Sequence, residues 1–303
     1  MKTFNEMKEK INKQNPSRIA VAAAEDKEVL LAVKEAISMS LAEFHLIGNE
    51  ELIKQLAKEI DLDLNEKAIE ITNVTNPIIA SLKAVESVSS NKSQILMKGL
   101  VPTATILKAV LDKDIGLRTG KVLSHVALFE LESYDRFLLL TDGAMNIAPN
   151  LEQKVQIVEN SVDLAFSVGV KEPKVALIAA VETVNPNMQA TIDASLISKM
   201  GERGQIKGAV IDGPLALDNA ISLEAAEHKG IKSNVAGRAD ILVVPSIEVG
   251  NVLYKSLVYF ANSKVGAVIM GATAPIVLTS RADTHDTKLN SIILAVLSAQ
   301  QKH

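Results

Sequence analysis

The stretch RIAVAA, residues 18–23, has five apolar residues in succession after Arg18, which predicts a buried β-strand. Working outward, residues 26–39 have the pattern of a helix, and 44–48 read as a second strand. The alternation continues with strands predicted at 68–74 and 94–99 and helices at 49–58, 77–88 and 103–111. A β-α-β-α order indicates parallel strands joined by right-handed crossovers, which is an α/β/α sandwich.

The alternation breaks once, at two strand-like runs over residues 121–131 and 136–140. Only four residues separate them, too few for a crossover helix, so they predict an antiparallel hairpin. A turn-rich segment, 141–150, follows and marks a change of domain.

The second half returns to alternation. Helices are predicted at 151–168, 188–201, 216–228 and 249–262, and strands at 175–180, 208–212, 240–245 and 266–270. A last helix, at 286–300, reads as amphipathic and could return to pack on the first domain. The predicted fold class is α/β with two sandwich domains: residues 1–143 plus 276–303, and residues 144–275.

Composition narrows the function classes. The 303 residues are 48% hydrophobic but only 3% aromatic, an aliphatic bias that suits parallel strands buried on both faces. The net charge is -4, without the basic stripe and stacking aromatics of a nucleic-acid site. There is no cysteine and no signal-like N-terminus, and no apolar run approaches the ~20 residues that span a bilayer. We therefore expect a cytoplasmic protein that binds neither nucleic acid nor membrane.

The densest polar cluster is TSRADTHDTK, residues 279–288, between an apolar run and a helix start. Arg281 beside the Ser280 hydroxyl at a helix N-terminus would suit a phosphate. The alternative is a capped helix, with Asp283 or Thr284 as N-cap and Asp286 favouring the helix dipole. Both interpretations can hold together.

Other candidates follow predicted strands: Lys98, then Asp218 with Asn219, then Gly250 with Asn251. An Asp-Gly-Pro turn with a capping aspartate is an equally good explanation of Asp218. Phosphate-binding, dinucleotide-binding and nucleophile-elbow motifs are absent. The five histidines lack metal-ligand spacing, so no metal site is predicted.

Several segments together resemble the phosphate acetyl/butyryltransferase family over essentially the whole chain. Three variants among them, LMKG, ALDN and KLNS, look like its butyryl branch rather than its acetyl branch. The segments are LMKG (96–99), IGLRTG (115–120), TDGAMN (141–146), AVE (180–182), VNP (184–186), DGPLALDNA (212–220), VAGRAD (235–240), GN (250–251) with Lys255, SRAD (280–283) and KLNS (288–291).

The resemblance implies a two-domain fold similar to isocitrate and isopropylmalate dehydrogenases, with the active site in a cleft between the domains. It implies a homodimer, with the interface expected on the second domain. It also implies reversible acyl transfer between coenzyme A and inorganic phosphate in a ternary complex, with these two as substrates and no further cofactor.

For the site, the resemblance implies an aspartate base that deprotonates the coenzyme A thiol, whose ordinary pKa is about 8.5. Ser280 would donate to the developing oxyanion or the leaving phosphate. In the acetyl branch the base lies seven positions after the serine, which is Thr287 here, so Asp286 is preferred, with Asp283 as alternative. The remaining candidate ligands of phosphate and coenzyme A are Arg281, Thr279, Lys98, Arg118, Asp218, Asn219, Gly250 and Asn251.

Three alternatives are a phosphate acetyltransferase, a metal- and NAD-dependent dehydrogenase of the same fold, and a catalytically inactive coenzyme A-binding protein. The dehydrogenases need an arginine cluster for a carboxylate substrate, which the sequence lacks. The intact Ser280-Arg281 pair argues against an inactive protein.

Overall fold

Residues 2–280 and 283–301 are described by a computed structural model. The chain divides into two units. The split unit comprises Phe4–Lys121 and the described residues from Gly266 onward, and the middle unit comprises Val122–Val265 with Lys2 and Thr3. Within the described ranges, each helix is too short or too polar to cross a lipid bilayer.

The first segment of the split unit alternates strands and helices, as predicted. Its elements are α1 (Phe4–Lys8), β1 (Ser17–Ala22), α2 (Lys27–Ser38), β2 (Ala42–Gly48), α3 (Glu50–Glu59), β3 (Ile69–Asn73), α4 (Pro77–Ser89), β4 (Ile95–Lys98) and α5 (Thr103–Val110). Three helices begin where a side chain accepts a hydrogen bond from the first turn. These N-caps are Asp26, Asn49 and Asn76.

The middle unit opens with the predicted hairpin. Its elements are β5 (Ser124–Glu130), β6 (Leu138–Thr141), α6 (Leu151–Ser167), β7 (Lys174–Ile178), α7 (Gln189–Glu202), β8 (Val210–Leu215), α8 (Leu217–Ile221), α9 (Leu223–His228), β9 (Ile241–Val243) and α10 (Ile247–Tyr259). The antiparallel β5–β6 pairing is confirmed. Strands β6, β9, β7 and β8 continue the sheet in that order and are parallel.

The single helix predicted at 216–228 is wrong, because the chain forms two helices there. Ser222 between them is extended, with φ -114° and ψ 117°. Its hydroxyl accepts a hydrogen bond from the Ala225 backbone N–H, so it caps α9. Serine favours an N-cap over a helix interior, which explains the break.

The last segment contains β10 (Lys264–Met270), whose first two residues still belong to the middle unit, then β11 (Ile276–Val277) and α11 (His285–Gln301). The strand order in the split unit is β3-β2-β1-β4-β11-β10, parallel except for β11 against β10. Strand β11 was not predicted, because two residues are too few to show a period. The structure divides the chain at Val122 and Gly266, earlier than the expected boundaries after residues 143 and 275.

Helix α11 packs on α2, β1, β4 and β11, so the expected return of the last helix is confirmed. The expectation of an amphipathic helix is wrong, since every residue from Lys288 to Ala299 is buried. At Gly266 an added Cβ would lie 2.7 Å from the Asn290 carbonyl carbon, so glycine allows β10 to approach α11 closely. A helix covered on all sides belongs to the centre of its unit.

Candidate active site

Two strands of the split unit bring predicted site residues to one edge. Strands β4 and β11 run parallel, with Ile276 opposite Leu96 and Val277 opposite Met97. Because parallel neighbours end at the same edge of a sheet, the segments that begin at Lys98 and at Thr279 leave the sheet side by side. The carboxyl edge of an α/β sheet is where ligands bind.

Lys98 is a buried lysine at this edge, only 5% exposed. Its Nζ donates a hydrogen bond of 3.2 Å to the Gly99 carbonyl oxygen. Gly99 itself lies against β1, because an added Cβ there would be 2.1 Å from the Ala23 carbonyl oxygen. Close packing therefore fixes the Gly99 backbone, and the Gly99 carbonyl oxygen in turn holds the Lys98 ammonium group.

Ser280 and Asp283 close a short loop after β11. The Ser280 backbone N–H donates to Asp283 Oδ2 at 2.7 Å, and the Asp283 backbone N–H donates to the Ser280 carbonyl oxygen at 3.2 Å. Lys288, from the first turns of α11, donates from Nζ to the carbonyl oxygens of Asp283, at 2.6 Å, and Ser280, at 3.3 Å. Arg281, the predicted phosphate ligand, lies outside the described residues.

The start of α11 is capped. The Thr284 hydroxyl accepts a hydrogen bond of 3.3 Å from the Thr287 backbone N–H, which is N-cap geometry. Of the two expected caps, Thr284 therefore fills the role. The Asp283 carboxylate accepts a hydrogen bond from Ser280 instead. The helix cap and the polar Ser280–Asp283 loop are therefore both present.

Asp286 lies apart from that loop's hydrogen bonds. Its side chain is 74% exposed, and Oδ1 is 3.5 Å from Nε2 of His285. The His285 backbone N–H donates to Glu28 Oε2 at 2.8 Å, and its Nδ1 is 3.6 Å from the same oxygen. The imidazole thus has a carboxylate on each ring nitrogen.

One group in the described part of the chain could hold a metal ion. Potential ligand atoms of Glu35, His285 and Asp286 lie within 4.8 Å of one another. The group is partly exposed, and such surface groups commonly occur without a metal. The absence of a metal site stays a prediction.

Arg118 lies exposed in the segment between α5 and β5. It makes no hydrogen bond or ion pair with another described residue. The neighbouring Thr119 hydroxyl donates to the Gly271 carbonyl oxygen, so the segment is tied to the end of β10. Arg118 is available to a ligand, but no contact links it to Ser280.

In the middle unit, Asp218 and Asn219 belong to a small polar network. Lys229 Nζ lies 3.3 Å from Glu182 Oε2 and 3.3 Å from Asp218 Oδ2. The fully buried Asn219 donates from Nδ2 to Glu182 at 3.3 Å. The hydrogen bond from the Asn219 backbone N–H to Asp218 lowers the pKa of that carboxyl group. Asp218 is thus an ionised, paired carboxylate.

Gly250 and Asn251 meet the turn after β6. An added Cβ at Gly250 would lie 2.7 Å from both the Asp142 carbonyl oxygen and the Gly143 Cα. Asn251 donates from Nδ2 to the Gly143 carbonyl oxygen at 3.4 Å. Helix α10 therefore packs directly on the Asp142–Gly143 backbone.

Asp142 holds this turn together, and it was not predicted as a site residue. The buried carboxylate accepts hydrogen bonds from the backbone N–H groups of Ala144, Met145 and Asn146 at 2.9, 2.9 and 3.2 Å. The Asn146 side chain adds a bond of 2.6 Å. Its signals in the sequence were the turn-rich composition of 141–150 and the TDGAMN segment of the family resemblance.

Glu28 and Lys288 were also missed as site residues. Lys288 stood within the quoted polar cluster, but nothing in the sequence indicates that its side chain turns back to the loop. Glu28 meets His285 across 257 positions, a contact that a single sequence cannot reveal.

Comparison with known proteins fits these observations. The chain belongs to the phosphate acetyl/butaryl transferase family, whose match covers residues 3–80 and 64–296, and it is thus an acyltransferase. The resemblance found from the sequence is confirmed.

Two relatives illustrate the branches. A phosphate butyryltransferase of Clostridium acetobutylicum is 52% identical, over 100% of both chains. A phosphate acetyltransferase of Thermotoga maritima is 45% identical, over 93% of this chain and 95% of its own.

Solved structures agree on the fold. A branched-chain phosphotransacylase from Enterococcus faecalis superimposes with a TM-score of 0.81 at 35% identity, covering 93% of this chain and 99% of its own. A 4-hydroxythreonine-4-phosphate dehydrogenase from Klebsiella pneumoniae gives a TM-score of 0.58 at 11% identity, covering 94% and 100%. The second likeness concerns the fold alone, and it agrees with the expected dehydrogenase-like α/β architecture.

Proposed function

We propose that this chain is a phosphate butyryltransferase, which transfers a butyryl group reversibly between coenzyme A and inorganic phosphate. The observation that carries the proposal is the Ser280–Asp283 loop at the carboxyl edge of the sheet, beside Lys98 and Lys288. Lys288 donates to the Ser280 carbonyl oxygen, and Lys98 lies at the end of the neighbouring strand. Two buried ammonium groups at this edge of the sheet are suited to an anion that carries more than one negative charge. The butyryltransferase relative, identical at 52% of positions over the whole chain, supports the butyryl substrate.

In the direction of butyryl-CoA synthesis, coenzyme A and butyryl phosphate bind together. An aspartate accepts the thiol proton, and the thiolate attacks the butyryl carbonyl carbon. The C–O bond to phosphate then breaks, and phosphate leaves with the bonding electrons. In the reverse direction a phosphate oxygen attacks, the C–S bond breaks, and the thiolate recovers its proton from the same aspartate.

The two candidate aspartates are proposed to act differently. Asp283 uses Oδ2 to hold the Ser280 backbone, so its role is to shape the loop. Asp286 is exposed and lies beside His285, so it can exchange protons with the thiol and with water. We assign the base to Asp286.

Ser280 is proposed to stabilise the oxyanion by donating its hydroxyl hydrogen, which acts mainly in the transition state. Thr279, Arg281 and Lys98 are proposed phosphate ligands. The proposed coenzyme A ligands are Arg118, Asp218, Asn219, Gly250 and Asn251.

Three further properties are part of the proposal: no cofactor beyond the two substrates, a homodimer, and a cytoplasmic location, which fits a chain with no cysteine. The dimer contact is proposed on the middle unit, where α10 and the residue after it expose large apolar side chains. Val252 is 65%, Tyr259 72% and Phe260 89% exposed.

The deciding experiment measures phosphate-dependent release of free coenzyme A from butyryl-CoA, beside acetyl-CoA and isobutyryl-CoA. Release that requires phosphate and is fastest with butyryl-CoA supports the proposal, and fastest release with acetyl-CoA would transfer the assignment to the acetyl branch. No release with any of the three would refute it. Ser280→Ala should abolish most of the turnover, and treatment with a chelator should leave it unchanged.

A further inference from the structure

Lys288 is a lysine in an unfavourable place. It lies in the first turns of α11 and is only 2% exposed. Its side chain runs back toward the start of the helix, where Nζ reaches the carbonyl oxygens of Asp283 and Ser280. The N-terminal end of a helix already carries partial positive charge, so an ammonium group there opposes the dipole.

The ammonium also lacks a counter-charge within the described part of the chain. No carboxylate of a described residue forms an ion pair with Lys288, and the nearby Asp283 carboxylate is engaged by the Ser280 backbone. Lys154, which is similarly buried, has Asp193 at 2.7 Å. Burying an ammonium with two carbonyl acceptors and no anion is costly.

The Thr279 hydroxyl also indicates that an anion binds near Ser280. The Thr279 side chain is buried, and its Oγ1 has no hydrogen-bond partner among the described residues. Buried polar atoms normally have a partner, so this hydroxyl indicates a missing acceptor or donor next to Ser280. An anionic ligand would supply an acceptor for Thr279 and a counter-charge for Lys288.

We propose that Lys288 is a positioning residue of the phosphate site. Its two hydrogen bonds fix the carbonyl groups of Ser280 and Asp283 and so hold Ser280 in place. Its charge is balanced when inorganic phosphate, or the phosphoryl group of the acyl phosphate, binds at that loop. This inference rests on the proposed function, because it deepens the account of the same site.

The test separates the charge from the hydrogen bonds. Lys288→Gln removes the charge but keeps a donor for the carbonyl groups, and Lys288→Arg keeps both. Lys34→Gln is the matched control, because Lys34 also lies on a helix of the split unit and donates to a backbone carbonyl, that of Ile60 at 2.6 Å. Each variant is assayed with varied phosphate and with varied butyryl-CoA, and its thermal unfolding is followed with and without inorganic phosphate.

Lys288→Gln should raise the Michaelis constant for phosphate about tenfold or more, the usual effect of losing one charge-assisted interaction. The Michaelis constant for butyryl-CoA should change much less. The rise in Tm that phosphate causes in the wild type should be lost in Lys288→Gln and kept in Lys288→Arg and Lys34→Gln.

A folded Lys288→Gln variant with the wild-type phosphate constant and phosphate-induced Tm shift would overturn the inference. If the wild type releases no coenzyme A from any acyl-CoA, the proposed function fails. The Tm measurement then still tests whether Lys288 takes part in a phosphate site. Loss of the wild-type shift in Lys288→Gln would then support a phosphate site, and absence of any shift in the wild type would refute it.

Discussion

The ammonium of Lys154 on α6 lies 2.7 Å from Asp193 Oδ2 on α7, and both side chains are more than nine-tenths buried. The Gln189 side chain donates to the other carboxylate oxygen at 2.8 Å, so both oxygens of the buried carboxylate have a partner.

The first prediction concerns the stability of the middle unit. Asp193→Ala should lower the free energy of unfolding by about 3–5 kcal/mol, because it leaves a buried charge unpaired.

The double variant Lys154→Met, Asp193→Leu should recover most of that loss, since it removes both charges and keeps the volume. Urea unfolding of the single and double variants measures this. A double variant as unstable as Asp193→Ala would show that the unpaired charge is not the cause of the lost stability.

The second prediction concerns Gly250. Gly250→Ala should destabilise the protein by roughly 1–3 kcal/mol, because the new methyl group would overlap the Asp142–Gly143 backbone. Turnover should fall as well, because Gly250 is a proposed coenzyme A ligand. Asn251→Ala, at the exposed neighbouring position, should change stability by much less. Thermal unfolding and steady-state kinetics of both variants decide the matter, and a fully stable, fully active Gly250→Ala would contradict it.

The third prediction separates the two aspartates. Asp286→Asn should reduce kcat about 100-fold or more and remove the acidic limb of the pH–rate profile, because the proposed base can no longer exchange a proton. Asp283→Asn should keep that limb while raising the Michaelis constant for phosphate, since its role is to shape the loop. Profiles of kcat against pH for the two variants test the assignment. The reverse pattern would make Asp283 the base.

The fourth prediction concerns pH and His45, which lies on β2. Burial lowers the pKa of His45 below its ordinary 6.5, against the opposing influence of Glu70. Its Nε2 lies 2.8 Å from the Thr72 hydroxyl. The neutral ring therefore contributes stability that is fully present above pH 6.5 and is lost as the pH falls toward the folded pKa, because the unfolded chain binds the proton first.

His45→Gln should remove this acid-sensitive part of the stability. His228→Gln, on the exposed end of α9, is the control and should keep it. Urea unfolding at about pH 7.5 and about pH 5.5 measures the difference. An unchanged pH dependence in His45→Gln would show that another group is responsible.

Local pattern predicted much of the fold. The alternation of apolar runs and helical periods predicted the parallel strands, and the short connection at 132–135 predicted the hairpin. The sequence analysis did not predict the break at Ser222, although serine favours an N-cap, and it did not predict β11, which is too short to show a period. The complete burial of α11 could not be predicted, because it depends on contacts with distant segments. The boundary between the units lay earlier than expected, since the hairpin belongs to the sheet of the middle unit.

For the candidate site, too, the sequence predicted some features and not others. Composition of the 279–288 cluster identified Ser280 and Asp283 as candidates, and the structure ties them together by hydrogen bonds. The neighbourhood of Lys98 and Thr279 comes from pairing between β4 and β11, which lie far apart in the chain. The direction of the Lys288 side chain and the contact of Glu28 with His285 could not be predicted, because both are properties of packing.

The position of α11 has a consequence for synthesis. The middle unit consists almost entirely of one continuous segment, so it can fold as soon as that segment has left the ribosome. The split unit has its first strands made earlier, but they lack the helix that fills their core until all of the middle unit has been translated. During that interval we expect β1 and β4 to expose apolar surface, which is the condition under which a nascent chain needs chaperones.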